Sequence, residues 1–384
     1  MAAKPRSAGK RPAALRYRRI VAKFGSNVLT AGTDRLNMEL MATLAAQIAA
    51  LHALGAEVLV VTSGAIAAGR HRLGIKKERK DIPFRQVLAA VGQGDLMQAY
   101  QEIFSRHGIT VAQTLLTRRD LADRLGYLNA RNTLLAILEL RVLPVINEND
   151  VVAVEEIEGA KIGDNDNLSA LVANLVDADL LALLTDTGGL YTADPRLDAA
   201  ARLIPRVERI DAEIEALAGD TSGTIGVGGM ATKLQAARLA TSGGADMIVA
   251  SGHEPDVLIR LARGEEIGTL FPATGDRMES RKRWMLAGLS VKGSIVVDDG
   301  AARVLREDKR SLLPAGVHEV QGAFQRGDAV YVVGLDGGRI GCGIANYSAE
   351  EIMRIRGVRS DRIEEVLGHH YGSEVLHRNN LVLL

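Results

Sequence analysis

Two short clusters of acidic and amide side chains border apolar runs of this chain. The segment NEND at 147–150 follows the run VLPVI, and the segment DNDN at 164–167 precedes the run LSALVANLV. One carboxylate or amide before a helix can serve only as an N-cap, and this interpretation stays open for Asp166 or Asn167 taken singly. Four polar residues in a row, occurring twice, indicate a site where carboxylates hold cations and amides bind a zwitterionic small molecule.

A glycine-rich segment offers a complementary anion site. The stretch GTIGVGGMATK at 223–233 precedes a helix that we expect to begin near Met230. Backbone N–H groups of such a loop and the positive end of the helix dipole favour a bound anion. Lys233 falls in the first helical turn, where the dipole disfavours a cation, so an anion is expected in front of it. A flexible loop with a solvated lysine is the alternative.

The elements that must position these residues alternate between short strands and longer helices over residues 20–270. Unbroken Val, Ile and Leu runs predict strands covered on both faces, and the alternation predicts an α/β fold in which helices sandwich a mainly parallel sheet in three layers. The predicted strands are RRIVAKF, AEVLVVTSG, GITVAQTLL, RVLPVIN, Asp179–Leu184 and Asp246–Ala250. The predicted helices are Met38–Ala53, Arg85–Phe104, Asn129–Leu140, Leu168–Val176 and Met230–Thr241.

Polar residues follow four of the predicted strands. Ligands of an open parallel sheet bind beyond the carboxyl ends of its strands, so these residues are expected to crowd one edge. In chain order they are Lys23, Gly25, Ser26 and Asn27; Thr62, Ser63 and Gly64; Asn147–Asp150; and Thr185 with Asp186.

The sequence changes character after about residue 275. We predict a basic, disordered tail over 1–16, with a transit peptide or a polyanion contact as the alternative, and a catalytic domain over 17–275. A polar linker over 276–289 leads to a small β-rich domain over 290–370 and a tail over 371–384. Strands are expected in SIVVDDGAARVL, HEVQGAFQRGDAVYVVG and GRIGCGIANYS, with EEIMRIRG as the one clear helix of this domain.

Composition excludes several classes of protein. The 384 residues are 47% hydrophobic and 24% charged with zero net charge, so no global field attracts nucleic acid or membrane. The single cysteine, Cys342, excludes an internal disulfide and fits a reducing compartment, and no apolar run reaches the roughly 18 residues that span a bilayer. We therefore expect a cytoplasmic protein without a membrane partner.

Two nucleotide motifs are present only in part. Gly64–His71 has the glycine spacing of a P-loop, but Arg70 replaces its lysine. Gly226–Ala231 matches G-x-G-x-x-A without an acidic ribose partner about 20 residues further on. Neither supports a familiar nucleotide fold.

The ordered set of motifs is more specific than any one of them. The segments VAKFGSN, VTSGAIAAGR, AAVGQG, INEND, KIGDNDNLSALVA, LLTDTGGLYTADPR and GVGGMATKLQAA resemble the signature segments of the glutamate 5-kinases, within the amino acid kinase family. The resemblance covers about residues 18–275, and the β-rich part resembles a PUA domain. It implies ATP-dependent phosphorylation of the γ-carboxylate of L-glutamate to L-glutamyl 5-phosphate, the opening step of proline biosynthesis.

The resemblance also implies roles for individual residues. Lys23 and Lys233 match the lysines that flank the transferring phosphoryl group, and Asp166 matches the carboxylate that orients them. Asn27 stands where the family usually has Ser or Thr. The positions that match glutamate-binding residues are Ser63, Asp150 and Asn165. The positions that match ATP-binding residues are Lys23, Gly25, Ser26, Thr185, Asp186, Val227, Gly228, Gly229, Met230, Ala231, Thr232 and Lys233.

Further expectations follow from the same resemblance. Mg²⁺ is expected to be held mainly through ATP phosphates. Proline is expected as a feedback inhibitor, a homo-oligomer as the assembly, and glutamyl phosphate reductase as a possible recipient of the product. Two alternatives stay open: a different acceptor within the family, such as aspartate, acetylglutamate or a nucleotide, and an RNA-binding or RNA-modifying protein, since PUA domains often occur there.

Overall fold

The structure is a computed structural model, and it describes residues 14–33, 35–75, 81–153, 165–218, 229–274, 291–308 and 310–384. These residues divide into two compact units. The first contains the described residues up to 121 and those of 130–274, and the second contains 122–129 and those from 291 onward. The predicted linker over 276–289 and most of the predicted basic tail lie outside the described residues.

A seven-stranded sheet forms the centre of the first unit. Its strands are β1 Arg19–Phe24, β2 Glu57–Val61, β3 Val111–Leu116, β4 Leu143–Glu148, β5 Leu180–Thr185, β6 Asp246–Ser251 and β7 Thr269–Phe271. The order across the sheet is β3-β4-β2-β1-β5-β6-β7, and every neighbouring pair is parallel except β6 with β7. The predicted mainly parallel α/β sheet is confirmed.

Ten helices are assigned along the same stretch of described chain. They are α1 Ser26–Thr30, α2 Met38–Ala53, α3 Ala65–Arg72, α4 Ile82–Ser105, α5 Arg118–Ala122, α6 Arg124–Glu139, α7 Asn165–Leu175, α8 Ala212–Leu217, α9 Met230–Ser242 and α10 Val257–Ala262. Alternate residues of β1, Ile20 and Phe24 among them, pack into one core with α2, α4 and α10. On the other side of the sheet α7 packs against β1 and β5, and α9 against α7 and β6. The helices therefore form layers on both faces.

Three helices begin earlier than the apolar pattern predicted, because polar residues cap them or form their first turns. The carboxylate of Asp81 accepts a hydrogen bond from the backbone N–H of Phe84 at 3.2 Å and starts α4. Asp123 accepts one from Gly126 at 2.8 Å before α6. In α7 the first turn consists of Asn165, Asp166 and Asn167, all of them buried.

A close contact between backbones joins α3 to α4. A Cβ atom added to Gly69 would lie 1.9 Å from the carbonyl oxygen of Leu88, and one added to Gly92 would lie 1.9 Å from that of Ala65. Only glycine fits at either position, so the two helices pack main chain against main chain. This contact fixes α4 relative to the end of β2, from which α3 begins.

The second unit contains a five-stranded sheet. Its strands are β8 Gly293–Val297, β9 Val317–Gly322, β10 Ala329–Gly334, β11 Arg339–Ile344 and β12 Leu381–Leu383, in the order β12-β11-β10-β8-β9. Three α-helices, α11 Asp299–Glu307, α12 Ala349–Ile355 and α13 Ile363–Leu367, are described here, with 3-10 turns at Pro314–Gly316, Ser360–Arg362 and Arg378–Asn380. The predicted β-rich C-terminal fold is confirmed.

The prediction of a single clear helix in this unit was wrong. The stretch GAARVL, expected to continue a strand region, belongs to α11. Asp298 caps this helix by accepting a hydrogen bond from the backbone N–H of Ala301 at 2.7 Å, and Ala302 and Leu305 bury one face at helical spacing. The helix EEIMRIRG is confirmed as α12, where Ser348 and Glu351 form a capping box.

Within the described residues, no helix has both the length and the apolar composition that crossing a bilayer requires.

Candidate active site

The strands whose ends carry polar residues are neighbours in the sheet. The prediction concerned β4, β2, β1 and β5, which occupy four consecutive positions of the sheet order and run parallel. Their carboxyl ends therefore meet at one edge, at the centre of the sheet. The helices α1, α3 and α7 begin at or near this edge and add their first turns to it.

Lys23, Asp166 and Lys233, the residues predicted to be catalytic, form one buried cluster, here called the lysine cluster. The Lys23 Nζ lies 2.5 Å from Asp166 Oδ1, and the Lys233 Nζ lies 3.2 Å from Asp166 Oδ2. Asp166 is 1% exposed and each lysine is 8% exposed. Two ammonium groups from distant parts of the chain therefore share one carboxylate.

The three members are held by three different elements. Lys23 is the fifth residue of β1 and pairs in register with Val61 on β2. Asp166 is in the first turn of α7 and Lys233 in the first turn of α9, and these helices pack together. The hydroxyl of Thr232 donates to Asp166 Oδ2 at 2.9 Å, which ties the start of α9 to the start of α7.

The charges within this cluster shift the pKa values of its members. Burial alone would raise the pKa of Asp166, but the charges of Lys23 and Lys233 and the hydrogen bonds from Lys23 and Thr232 hold it well below its usual range. Burial lowers the pKa of Lys233, and the charge of Lys23 lowers it further, whereas Asp166 raises it. With both lysines charged, the cluster carries one excess positive charge, which suits an anionic group placed beside the lysines.

A second polar cluster, here called the amide chain, consists of Asn165, Asn147 and Gln93. The amide nitrogen Nδ2 of Asn165 donates to the carbonyl oxygen of Thr62 at 2.7 Å, to the Ser63 Oγ at 3.2 Å and to Asn147 Oδ1 at 3.0 Å. Asn147 Nδ2 in turn donates to Gln93 Oε1 at 2.8 Å. The amide chain therefore links the ends of β2 and β4 to α7 and α4.

Most of the residues that these hydrogen bonds join were predicted to lie at the site. Ser63 and Asn165 were predicted to bind substrate and Asn147 to lie at this edge of the sheet, whereas Gln93 appeared only as a letter of AAVGQG. Beneath them the Thr62 hydroxyl and the Tyr100 hydroxyl lie 2.8 Å apart, and Tyr100 is fully buried in α4. Two signals in the sequence indicated Gln93: its place in AAVGQG, one of the segments that carry the family resemblance, and its position beside a glycine in a predicted helix.

Asp150, the third residue predicted to bind substrate, lies just beyond β4 and is half-buried. Burial raises its pKa to about 6, although the charge of Arg85 acts in the opposite direction. Among the described residues no hydrogen bond joins Asp150 to Ser63 or to Asn165. A carboxylate that is costly to ionise is prepared to accept a cationic group such as an ammonium.

The residues predicted to bind the nucleotide lie on the β1 and β5 side of the edge. Gly25 donates its N–H to the carbonyl oxygen of Leu184 at 3.0 Å, and Ser26 begins α1. Asn27 Nδ2 donates to Asp186 Oδ2 at 3.0 Å, which joins two of the predicted nucleotide segments. Thr185 is buried and bonds to the Thr187 hydroxyl at 2.9 Å.

The third predicted nucleotide segment is described only in part. Gly229 is the N-cap of α9, and Met230, Ala231 and Thr232 form its first turn with Lys233. Val227 and Gly228 lie outside the described residues, as do Gly223 and Gly226. The described part presents the N-terminus of a 13-residue helix next to the lysine cluster, an arrangement that favours an anion.

Comparison with known proteins identifies the family to which this sequence belongs. The sequence model described as the amino acid kinase family matches residues 18–251, and the one described as the PUA domain matches residues 293–367. A glutamate 5-kinase of Dehalococcoides mccartyi is 55% identical over 368 residues, which cover 96% of this chain and 99% of that protein. The glutamate 5-kinase of Herpetosiphon aurantiacus is 52% identical over 95% of this chain and 98% of its own length.

A third relative, a glutamate 5-kinase of Geobacter sulfurreducens, is 50% identical over 96% of this chain and 98% of its own length. The family match spans the seven-stranded sheet up to β6 and therefore includes every strand end that carries the site. The chain belongs to the amino acid kinase family and combines its kinase domain with a PUA domain.

Proposed function

We propose that this chain transfers the γ-phosphoryl group of ATP to the γ-carboxylate of L-glutamate and releases L-glutamyl 5-phosphate and ADP. The observation that carries the proposal is the buried lysine cluster, in which Lys23 and Lys233 share Asp166. The names of relatives that are 50–55% identical over nearly the whole chain support glutamate as the acceptor. The reaction is the first step of proline biosynthesis.

The acceptor needs no general base. A glutamate side chain has a pKa of about 4.3, so its γ-carboxylate is already ionised at neutral pH. The oxygen of that carboxylate forms a bond to the γ-phosphorus, the bond from that phosphorus to the β,γ-bridging oxygen breaks, and ADP leaves with the electron pair. Rate enhancement must then come from alignment and from neutralising charge on the transferring group.

The lysine cluster supplies that neutralisation. Lys23 and Lys233 approach from β1 and α9, and Asp166 holds both ammonium groups at fixed positions. Because the cluster is buried, the groups are oriented before the substrate arrives and no water has to be reorganised during transfer. The excess positive charge of the cluster is compensated when the phosphoryl group lies between the lysines.

The donor set fits Mg²⁺ only as a companion of ATP. The described residues contain no group of three or more His, Cys, Asp or Glu side chains that could hold a metal ion. Both carboxylate oxygens of Asp166 are engaged by lysines and by Thr232. We propose that Mg²⁺ binds through ATP phosphates and water, where it neutralises phosphate charge.

We further propose four properties that the relatives' function suggests. Proline inhibits by binding at or beside the glutamate pocket, since it shares the α-carboxylate and the amine. The chain works in the cytoplasm as a homo-oligomer assembled through the kinase domain. Its unstable acyl phosphate is handed to a glutamyl phosphate reductase.

A turnover assay tests the proposed reaction. Purified protein with ATP, Mg²⁺ and L-glutamate should release ADP, and hydroxylamine should trap the acyl phosphate as a hydroxamate. Aspartate, N-acetylglutamate and UMP serve as alternative acceptors in the same assay. Absence of hydroxamate with glutamate, or faster turnover with another acceptor, would overturn the proposal.

A further inference from the structure

Two polar atoms of the amide chain are buried without a hydrogen-bond partner in the part of the chain that the structure describes. They are Nε2 of Gln93 and Oδ1 of Asn165, one at each end of the amide chain. A buried polar group without a partner is costly, by about 1–3 kcal/mol, and native proteins keep few of them. Asn165 donates to Ser63, and Gln93 is joined to Asn165 through Asn147, so both atoms belong to one hydrogen-bonded group at the edge of the sheet where the site lies. This placement indicates that a ligand supplies the missing partners.

The identity of each free atom follows from one fixed acceptor. The carbonyl oxygen of Thr62 can only accept, so the nitrogen of the Asn165 amide must face it. That nitrogen also faces Asn147, so Asn147 presents its oxygen to Asn165 and its nitrogen to Gln93. Gln93 must then accept with Oε1, which leaves its NH₂ group as a free donor. Asn165 is left with a free acceptor by the same reasoning.

Gln93 is held in place by the backbone contact between α3 and α4. Gly92 packs against the carbonyl oxygen of Ala65, the first residue of α3, with no room for a Cβ atom. Ser63 lies two residues before Ala65. The position of Gln93 relative to Ser63 is therefore fixed by main-chain packing rather than by flexible side chains.

We propose that Gln93 is a specificity-determining residue whose Nε2 donates to the α-carboxylate of the amino acid substrate. A carboxylate can only accept and an ammonium can only donate. Of the two charged groups on the α-carbon, the carboxylate is therefore the partner of Gln93 Nε2, and the ammonium is the partner of Asn165 Oδ1. The inference rests on the proposed function, since it names how the acceptor substrate is recognised.

The proposal assigns a neutral donor to a charged group. The amide of Gln93 is neutral and adds no positive charge near the lysine cluster. The γ-carboxylate is therefore not drawn to Gln93, as it would be if glutamate bound in the reverse orientation. The direction of the substrate in the pocket is then set by donor and acceptor matching. Loss of one hydrogen bond to a charged group corresponds to roughly a 10- to 100-fold loss of affinity.

The experiment compares two substrates that differ only at the α-carboxylate. L-glutamate is compared with its α-carboxamide, in which the α-carboxylate is replaced by a carboxamide and the γ-carboxylate is retained. The variant Gln93→Glu keeps an oxygen that accepts from Asn147, but it replaces the free donor by an acceptor. Such an acceptor repels a carboxylate and binds a carboxamide.

We expect Gln93→Glu to raise KM for glutamate by about 10- to 100-fold. The ratio of kcat/KM for glutamate to kcat/KM for the α-carboxamide should fall by at least as much. The KM for ATP should stay within about twofold, because the lysine cluster is unchanged. Gln93→Met, which removes the donor without adding charge, should lower the same ratio by a smaller factor.

Gln98→Glu is the matched control. Gln98 lies on the exposed side of α4, where its side chain bonds to Glu102 at 2.8 Å, and the same change of charge there should leave the ratio unaltered. The melting temperature of each variant establishes that it folds. If Gln93→Glu does not fold, the comparison of substrates is made with Gln93→Met. Equal losses of kcat/KM for both substrates would mean that Gln93 has only a structural role and would refute the inference.

The failure of this inference can be told apart from that of the proposed function. If the unaltered chain phosphorylates glutamate and the substrate ratio does not move in either Gln93 variant, only the inference is wrong. If the unaltered chain does not phosphorylate glutamate, the proposed function is wrong and the inference falls with it.

Discussion

Two consecutive residues at the start of α7 belong to two different kinds of polar cluster. Asp166 shares its carboxylate between Lys23 and Lys233, so the lysine cluster is charged. Asn165 belongs to the amide chain, which is neutral and consists of hydrogen bonds between amides, hydroxyls and one carbonyl oxygen. Both clusters are buried, and one helix carries a member of each.

The difference between the clusters reflects what each would bind. A transferring phosphoryl group changes its charge distribution during the reaction, so fixed positive charge beside it stabilises the transition state more than the bound substrate. The α-ammonium and α-carboxylate of an amino acid bound beside the amide chain keep their charges throughout, so hydrogen bonds to them contribute equally to both states. Changes to the lysine cluster should therefore lower kcat, and changes to the amide chain should raise KM.

The largest effect is expected from Asp166→Asn. The substitution keeps the size of the side chain but leaves two buried ammonium groups without their carboxylate. We expect kcat to fall by about 10³-fold or more, and the free energy of unfolding to fall by about 3–5 kcal/mol. Steady-state kinetics and thermal unfolding measure these two quantities.

Asp211→Asn provides the control for that change. Asp211 caps α8 by accepting from Ile214 N–H at 3.1 Å, and asparagine caps equally well. Activity of Asp166→Asn within tenfold of the unaltered chain would contradict the role of the lysine cluster.

Lys233→Met should have the next largest effect. It removes one charge of the pair while keeping the length of the side chain, and Lys23 and Asp166 remain as an ion pair. We expect kcat to fall by about 10²- to 10³-fold with KM for glutamate nearly constant, which single-turnover and steady-state kinetics can separate. Lys292→Met, in the second unit, should behave like the unaltered chain. A rise in KM for glutamate without a fall in kcat would contradict the expectation that the lysine cluster acts on kcat and the amide chain on KM.

The third prediction concerns the pH dependence of glutamate binding through Asp150. Its pKa is raised to about 6, so its negative charge is lost as the pH falls below that value. If Asp150 binds the substrate ammonium, KM for glutamate should rise by about tenfold for each pH unit below 6. At saturating glutamate kcat should change far less, because the pKa of Asp166 lies well below this range.

The variant Asp150→Asn checks the sign of this dependence. The folded chain holds the proton of Asp150 more tightly than the unfolded chain does, so ionisation of Asp150 on raising the pH lowers stability. Asp150→Asn should therefore have a high KM for glutamate that no longer varies with pH. Its melting temperature at about pH 7 should be higher than that of the unaltered chain. A KM that still rises below pH 6 in this variant would assign the titration to another group.

The smallest effect is expected from Tyr100→Phe. The change removes the hydroxyl that bonds to Thr62 at 2.8 Å beneath the amide chain, while Asn165 keeps its bond to the Thr62 carbonyl oxygen. We expect a loss of about 1 kcal/mol in the free energy of unfolding by urea titration, and KM for glutamate within about threefold. Tyr331→Phe in the second unit is the matched control. A large loss of kcat would show that the two clusters are more strongly coupled than their separate bonds indicate.

Much of this arrangement could be predicted from the sequence, because strand runs and the polar residues after them are local patterns. Lys23, Ser63 and Thr185 were placed at strand ends on that basis alone. Lys23 and Lys233 are 210 positions apart and are joined through Asp166, so their pairing was not a local pattern and came from the resemblance to a family. The family and the mainly parallel sheet are confirmed, whereas the proposed roles of individual residues stay predictions.

Other parts could not be predicted, since they depend on tertiary contacts. Gln93 and Tyr100 lie on α4, and which face of that helix meets the end of β2 depends on tertiary packing, including that of Gly92 against α3. Helix α11 was missed because a short apolar run after Asp298 suits a strand and a helix equally until its cap and its buried face are known.

The two points where α3 and α4 meet main chain to main chain have a consequence for how acceptor preference can diverge among related enzymes. A Cβ atom added at Gly69 or Gly92 would lie only 1.9 Å from a carbonyl oxygen, so at these two points no side chain separates the helices and could shift for a bulkier substrate. A longer or branched acid cannot be accommodated by sliding one helix along the other. New preferences must arise by exchanging individual side chains on a rigid frame, one hydrogen bond at a time.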